Sequence, residues 1–405
     1  MVDLKNGNHL PLQGLKVVDC ATHMAAPWAA TYLGDYGADV LKVEHPKTGD
    51  TARTFGAVKD GIGIFWKSLA RNKKCITLNL GAEEGKKLFL RLIQDADVLI
   101  ENFRPGTLEK WGLGWDTLQE VNPRLIVLRC SGFGQDGPYS KRGGFGTVAE
   151  GMSGFAAMNG WPDGPPTLPP NPLADGVTSI HAALAIMTAI YERDILGSGK
   201  GQVIDICLYE PLMRLLEGAI TEYSVSGNVA QRQGNRLASA APRNAYITGD
   251  GQWVALSASA QPIAENVFKA IGRPELITDP KFCDNPNRVK NVDELDEIIG
   301  GWISQHSMQE VIDTFMAAGA VIGPIYNVDT MLDDPHFQYR ESLVSVPDKD
   351  FGQVTMPNVV AKFSRTPGAI RHSGPNKGEH NLEIYTGQLG LTPEEVQELK
   401  TKGII

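Results

Sequence analysis

Apolar positions in the first half of the chain fall into a strand, helix, strand rhythm. Leu15 to Ala21 (LKVVDCA) is an apolar run of strand length. Pro27 to Tyr36 repeats its apolar positions at helical spacing with Gly37 just past its end, and Ala38 to Glu44 (ADVLKVE) is again strand-like. Together these predict a βαβ unit. The rhythm recurs with strands at Cys75 to Leu80, Asp97 to Glu101 and Leu125 to Ser131 and a helix from Glu83 to Asp95. Strands that alternate with helices in this way predict a parallel sheet covered by helices.

Between about Gly132 and Leu173 the periodicity stops and Gly and Pro dominate, as in GFGQDGPYSKRGGFG and WPDGPPTLPPNP. Irregular stretches of this length in a compact domain are more often functional than not. Asp175 follows, and then an amphipathic helix from about Gly176 to Asp194, with Val177, Ile180, Leu184, Met187 and Ile190 as its apolar positions and GSGKG at its end. A strand (Gln202 to Cys207), a helix (Glu210 to Tyr223) and a polar link (Gly227 to Arg243) come next. From Tyr246 to about Gly323 there are fewer parallel-strand signals, which predicts a second, smaller domain. The last part returns to extended segments near Val344 and Val354 and a short helix-rich tail.

Composition narrows the partners. A chain of 405 residues with 42% hydrophobic and 21% charged positions is globular and long enough for two or three domains. A net charge of -9 repels a phosphate backbone, so nucleic acid is not an expected partner. The most apolar stretch, His181 to Tyr191, is much shorter than the roughly 20 residues of a bilayer span. The opening MVDLKNGNHLPL lacks the apolar run of a secretion signal, so the sequence predicts no membrane association and a cytoplasmic location. The five cysteines show no CxxC spacing, which indicates neither a metal site nor a disulfide framework; Cys20 and Cys207 sit in apolar runs as small buried hydrophobes.

Three features carry chemistry. Glu44 ends the first βαβ unit where a carboxylate could bond a ribose hydroxyl, but Ala21-Thr-His-Met-Ala-Ala-Pro27 stands where a dinucleotide site needs its glycines, so nicotinamide and flavin are disfavoured. Arg71-Asn-Lys-Lys74 precedes a strand and Glu101-Asn-Phe-Arg-Pro-Gly106, then Lys110, follows one. Cations at strand ends suit a phosphorylated nucleotide, and basic surface loops give the same pattern. Asp175, finally, has the position of an N-cap, whose carboxylate accepts the first amide hydrogens. Delivered by a Pro-rich loop into a water-poor pocket, the same carboxylate is a nucleophile.

The segments LKVVDCATHMAAPWAATYLGDYGADVLKVEHPKTGD, RNKKCITLNL, ENFRPGTLEKWGLGW, NPRLIVLRCSGFGQDGPY and LADGVTSIHAALAIMTAIYERDILGSGKGQVIDICLYE, with the closing GEHN, resemble in order and spacing the class III CoA-transferases, the CaiB/BaiF family that includes formyl-CoA transferase. The resemblance covers most of the chain from Leu15 onward. It implies an α/β fold with a Rossmann-like parallel-sheet large domain built from both chain ends and a smaller α+β domain between, so that residues 1–225 and 326–405 form the large CoA-binding domain and 226–325 the small one. It also implies an interlocked ring dimer, either a homodimer or a heterodimer with a homologous subunit. Asp175, within Ala174-Asp175-Gly176, takes the place of the catalytic aspartate. The family's CoA contacts fall on His23, Met24, His45, Arg71, Asn72, Lys73, Lys74, Asn102, Phe103, Arg104 and Lys110, with no metal and no tightly bound cofactor; coenzyme A and acyl-CoA are substrates.

The activity that the resemblance implies is acyl-CoA:carboxylate CoA transfer through anhydride and aspartyl-CoA thioester intermediates on Asp175. Two departures redirect the substrate. The glycine run of formyl-CoA transferases is absent from Asn235-Arg-Leu-Ala-Ser-Ala-Ala-Pro-Arg243, which argues against formate and oxalate. Arg236 and Arg243 in that link could instead pair a second carboxylate, so that succinyl-CoA donors and malate- or benzylsuccinate-like acceptors are the expectation, against solvent exposure of both arginines. Racemases of the same fold place a catalytic His in a GHD motif; here Gly144-Phe145-Gly146 stands in its place. An isomerase of this fold, or a non-catalytic CoA-binding subunit, are the alternatives.

Overall fold

The computed structural model describes residues 9–405, which divide into two compact units. The first runs through Phe155 and takes in Leu168–Thr221 and Gln338–Ile405; the second holds Ala156–Thr167 and Glu222–Phe337. Ala156–Thr167, which the sequence pattern places within residues 1–225, packs in the second unit because the Gly234 amide donates to the Gly160 carbonyl (2.9 Å) and the Arg232 guanidinium to the carbonyls of Trp161 and Ala157 (3.3 and 3.2 Å).

In the first unit the strands are β1 (Lys16–Asp19), β2 (Asp39–Glu44), a minimal hairpin of β3 (Val58–Lys59) and β4 (Ile62–Gly63), β5 (Lys73–Thr77), β6 (Val98–Glu101), β7 (Ile126–Ser131) and β8 (Val203–Cys207). Six of them form one sheet in the order β5-β2-β1-β6-β7-β8, with every pairing parallel. Both faces are covered, which is why strands such as Ile126-Val127-Leu128 and Val98-Leu99-Ile100 are apolar at consecutive positions. On one face, helix α1 (Ala25–Asp35) and the long helix Leu173–Ile190 approach closely through Ala26, Ala29, Ala30 and Ala182. On the other, Phe89 and Leu92 of the helix Glu83–Ile93 share a core with Tyr385 and Ile404 of the carboxyl-terminal segment.

That segment also explains the GEHN motif. Edge strand β5 would expose unpaired amides. His380 Nδ1 accepts from the Cys75 amide (3.1 Å), Asn381 Oδ1 from the Thr77 amide (2.8 Å), and the Tyr385 hydroxyl donates to the Thr77 carbonyl (2.6 Å). Two side chains and a phenol thus close the edge without another strand.

The long helix differs from its sequence outline. It begins at Leu173, so Asp175 lies in its first turn and is not an N-cap, and it runs on through a π turn to Ile195. An 18-residue window of this 23-residue helix has a mean hydropathy of 1.5, so the helix is long and apolar enough by length and composition to cross a bilayer and is longer than the stretch His181 to Tyr191. Ala174, Thr178, Ala182, Ile186 and Ala189 are nevertheless buried on the sheet side at helical spacing, while Ile180, Leu184, Tyr191 and Ile195 are exposed. The Gly- and Pro-rich stretch before it also holds two short helices, Gly146–Met152 and Phe155–Met158. Gly146, Gly151 and Gly154 interrupt the apolar period that would have revealed them.

The second unit packs helices Gln261–Ala270, Val292–Ile303 and Met308–Ala317 on an antiparallel sheet of β9 (Arg243–Ile247), β10 (Trp253–Ser257) and β11 (Ile322–Pro324). Val254, Leu256, Phe268, Phe282, Ile299 and Phe315 fill its core. The extended segments near Val344 and Val354 are the hairpin β12 (Leu343–Asp348) and β13 (Gly352–Pro357) of the first unit.

The sheet order directs attention to one place. From β1 the chain moves outward to β2 and β5, then crosses back to β6 on the other side of β1. Ligands of open parallel sheets bind at such a reversal, outside the carboxyl ends of the strands.

Candidate active site

The loop leaving β1 carries Thr22, His23 and Met24, and buried charge holds it. Lys42 on β2, 1% exposed, pairs with Asp50 (2.8 Å) and approaches Asp19 (3.7 Å), and its ammonium donates to the Ala21 carbonyl. Lys73 on β5 pairs with the other Asp19 oxygen (2.9 Å) and donates to the Pro27 carbonyl (2.6 Å). Burial alone would lower the Lys42 pKa, yet the carboxylates of Asp19, Asp50 and Glu44 raise it above the usual lysine value. Asp50 is held below the usual carboxylate range: burial opposes this, but Lys42 and the amides of Ala52 and His23 outweigh it.

This network sets the conformation of His23, whose φ of +72° is one that L residues seldom adopt. Its amide donates to Asp50 Oδ1 (2.9 Å), and Asn102 clamps the neighbouring residue, accepting from the Thr22 amide (2.8 Å) and donating to the Thr22 carbonyl (2.6 Å). The imidazole packs edge-on against Phe55 and Phe145. Strained backbone of this kind persists where surrounding contacts over-determine it, and it clusters at functional sites.

Asp175 is 8% exposed and lines a cavity of about 330 Å³ together with His23, Met24, Asn102, Arg104 and Arg142. Burial raises its pKa; the charge of His23 and the Ala25 amide act the other way, and the nearby Glu150 carboxylate adds to the rise. Glu150 is itself 3% exposed and accepts from the Ala174 amide (3.3 Å). A β-carbon on Gly146 would collide with the Asp175 carboxylate, so any larger residue there would displace it. The loop before it crosses the strand end equally tightly, since a β-carbon on Gly132 would lie 2.7 Å from the Gly144 Cα. A second cavity of about 440 Å³, lined by His45, Asn79 and Trp111, shares Thr22 and Phe103 with the first. A buried, poorly solvated carboxylate at the sheet's reversal point, with a second cavity adjoining, suits covalent acyl chemistry on an extended substrate.

Known proteins agree on the class. Residues 12–381 match the model of CoA-transferase family III. The chain belongs to that family. Succinyl-CoA--D-citramalate CoA-transferase of Chloroflexus aurantiacus is 42% identical over 396 residues, 98% of either chain. The beta subunit of succinyl-CoA--L-malate CoA-transferase from the same organism is 41% identical over 400 residues, again 98% of each. Among solved structures, a CAIB/BAIF family protein from Brucella suis superimposes with a TM-score of 0.83 at 31% identity, covering 94% of this chain and 100% of that one. The protein is thus an enzyme of the acyl-CoA:carboxylate CoA-transferase type, whose substrates are CoA thioesters and carboxylates.

Within this transferase the structure brings together only some of the residues that the sequence singles out. His23, Met24, Asn102, Phe103 and Arg104 line the Asp175 cavity, and His45 lines the adjoining one. The others lie elsewhere. Arg71 makes a two-toothed pair with Asp35 (2.9 and 2.6 Å), Asn72 bonds Asp35 and the Ala369 carbonyl, and Lys73 is spent on Asp19. Lys74 pairs with Glu383 at the surface, and Lys110 is exposed and lines neither cavity. Glu44, 3% exposed at the edge of the adjoining cavity, is engaged by the Arg53 guanidinium and the Asp50 amide. In the second unit Arg236 is held by Asp293 (2.6 Å) and Asp296 (2.7 Å), and Arg243 donates to the carbonyls of Asn235 and Arg236. Pattern reading missed Glu150 and Arg142; the one signal for Glu150 was a lone acid one helical turn after Gly146.

Proposed function

We propose that this transferase moves CoA from succinyl-CoA to a short dicarboxylic acid of the malate or citramalate kind, through covalent intermediates on Asp175. The observation that carries the reading is Asp175 itself, a carboxylate poorly solvated in a cavity at the sheet's reversal point. Its oxygen attacks the thioester carbonyl and the C–S bond breaks, giving an aspartyl–succinyl anhydride and CoA thiolate. The thiolate attacks the aspartyl carbonyl, releasing succinate and leaving an aspartyl-CoA thioester. The acceptor carboxylate attacks that thioester and expels the thiolate, and a second anhydride forms. Attack of the thiolate on the acceptor's acyl carbon yields the new acyl-CoA and restores Asp175.

Each step trades one activated acyl bond for another, so the protein has to position the partners, exclude water and supply amide donors to the tetrahedral oxyanions. The loop Gly132–Gly146 and the amino end of the Asp175 helix supply such amides. The CoA chain runs from the Asp175 cavity past Phe103 into the cavity of His45, with the first unit as the CoA-binding domain. The names of the relatives support the donor and acceptor classes. Exposed Ile180, Leu184, Tyr191 and Ile195 on the long helix support a dimer, with a second copy or a homologous subunit, since monomers seldom expose such a face. We place the enzyme in the cytosol.

The test pairs succinyl-CoA with a panel of acids, reads the products by mass spectrometry, and then adds hydroxylamine to the donor-treated enzyme. A donor-dependent hydroxamate on the peptide holding Asp175 is the expected result. Label on a cysteine, or label without donor, sinks the nucleophile assignment; solvent deuterium at the acyl α-carbon without transfer indicates an isomerase instead.

A further inference from the structure

Arg53, Arg71, Arg124, Arg129, Arg193 and Arg236 each hold an Asp or Glu carboxylate. Arg104 and Arg142 line the Asp175 cavity and, among the described residues, neither has a carboxylate partner. Their places in the fold separate them. Arg104 follows Phe103, which lines both cavities, and so stands toward the join along which a CoA chain would run. Arg142 lies on the loop that leads through Gly143, Gly144 and Phe145, all lining the cavity, to Gly146 against the Asp175 carboxylate. It belongs to the acyl side.

The Tyr139 ring lies 3.6 Å beneath the Arg142 guanidinium. A cation over a ring face fixes the guanidinium plane and leaves its edge N–H groups free, which is the arrangement that takes a carboxylate through two parallel hydrogen bonds. The surroundings demand such a group. Asp175 and Glu150 put two acids beside the reacting centre, and an incoming acid with a second carboxylate meets like charge there unless a cation receives its far end.

We propose that Arg142 binds the distal carboxylate of the acid that exchanges CoA, and so selects dicarboxylic over monocarboxylic substrates. This rests on the transferase reading and moves the selecting role from Arg236, whose guanidinium Asp293 and Asp296 occupy, to the wall of the Asp175 cavity.

The experiment measures the binding of succinate and butyrate by calorimetry and, in parallel, the KM for each acid and for succinyl-CoA, in the wild type, Arg142→Gln and Arg142→Lys. Loss of one charge-assisted pair predicts a fall of about ten- to a hundredfold in succinate affinity for Arg142→Gln. Butyrate binding stays unchanged, and Arg142→Lys recovers part of the preference. Equal weakening of both acids, a rise confined to the KM of the CoA moiety with either acid, or unchanged succinate binding each overturns the assignment. Failure of the wild type to transfer CoA to any acid would overturn the transferase reading while the binding measurement still decides the role of Arg142.

Discussion

Two sets of charge flank the loop that carries His23, one wholly buried and one of buried acids facing exposed arginines, and the fold treats them in opposite ways. Behind the loop, Asp19, Lys42, Asp50 and Lys73 neutralise one another at 2.8 to 2.9 Å through the pairs Lys42–Asp50 and Lys73–Asp19. In front of it, Asp175 and Glu150 lie close together and, among the described residues, make no salt bridge, nor do Arg104 and Arg142, which face the same cavity. Paired charges of the first kind determine where backbone goes. In the second set the two buried acids cost stability, while the exposed arginines stay available to a substrate, the usual exchange between stability and activity.

The sharpest way to break this comparison is at Asp175. Asp175→Asn is expected to lower transfer by roughly four to six orders of magnitude, as for other covalent nucleophiles. It should also stabilise the protein at neutral pH. Because burial raises the folded-state pKa above the unfolded value, the ionised carboxylate disfavours the native state, and the amide removes that cost. Melting temperatures of the wild type and the variant should therefore differ most near pH 7 and converge as pH falls through the raised pKa. An Asp175→Asn melting temperature at or below wild type at pH 7 would contradict the contrast.

Asp50 is the counterpart on the paired side. Asp50→Ala leaves Lys42 buried without its nearest carboxylate and takes the acceptor from the His23 amide, so urea unfolding should show a loss of about 3 to 5 kcal/mol. Its folded pKa is depressed, so this contribution is present above the ordinary Asp pKa and disappears as pH falls through the lower, folded value. A loss that does not narrow in acid would mean that packing, and not the ion pair, is at stake.

Glu150→Gln sharpens the comparison with the smallest effect. Removing the like charge lowers the Asp175 pKa, which moves the acid limb of the kcat profile to lower pH and changes turnover at neutral pH by about tenfold at most. An acid limb that stays in place would detach Glu150 from the nucleophile.

The sequence by itself determined the parallel sheet and the family, and it singled out Asp175 as a candidate, because apolar period and motif order are local properties that the backbone geometry of strands and helices writes into consecutive residues. The family resemblance also assigned His23, Asn102 and Arg104 to CoA contacts, and all three line the Asp175 cavity. Tertiary structure alone decided which charges are free. Arg71 and Lys73 have the sequence context of phosphate-binding cations, yet their carboxylates come from Asp35 and Asp19, 36 and 54 positions earlier, brought near by α1 and the strand order. The opposite holds for Arg142, which sits in the aperiodic Gly- and Pro-rich stretch with no charge motif around it and, among the described residues, has no acid partner at the wall of the cavity. Whether a charge is scaffold or binding group depends on desolvation and on distances across the sheet, and neither quantity is encoded in the neighbouring residues.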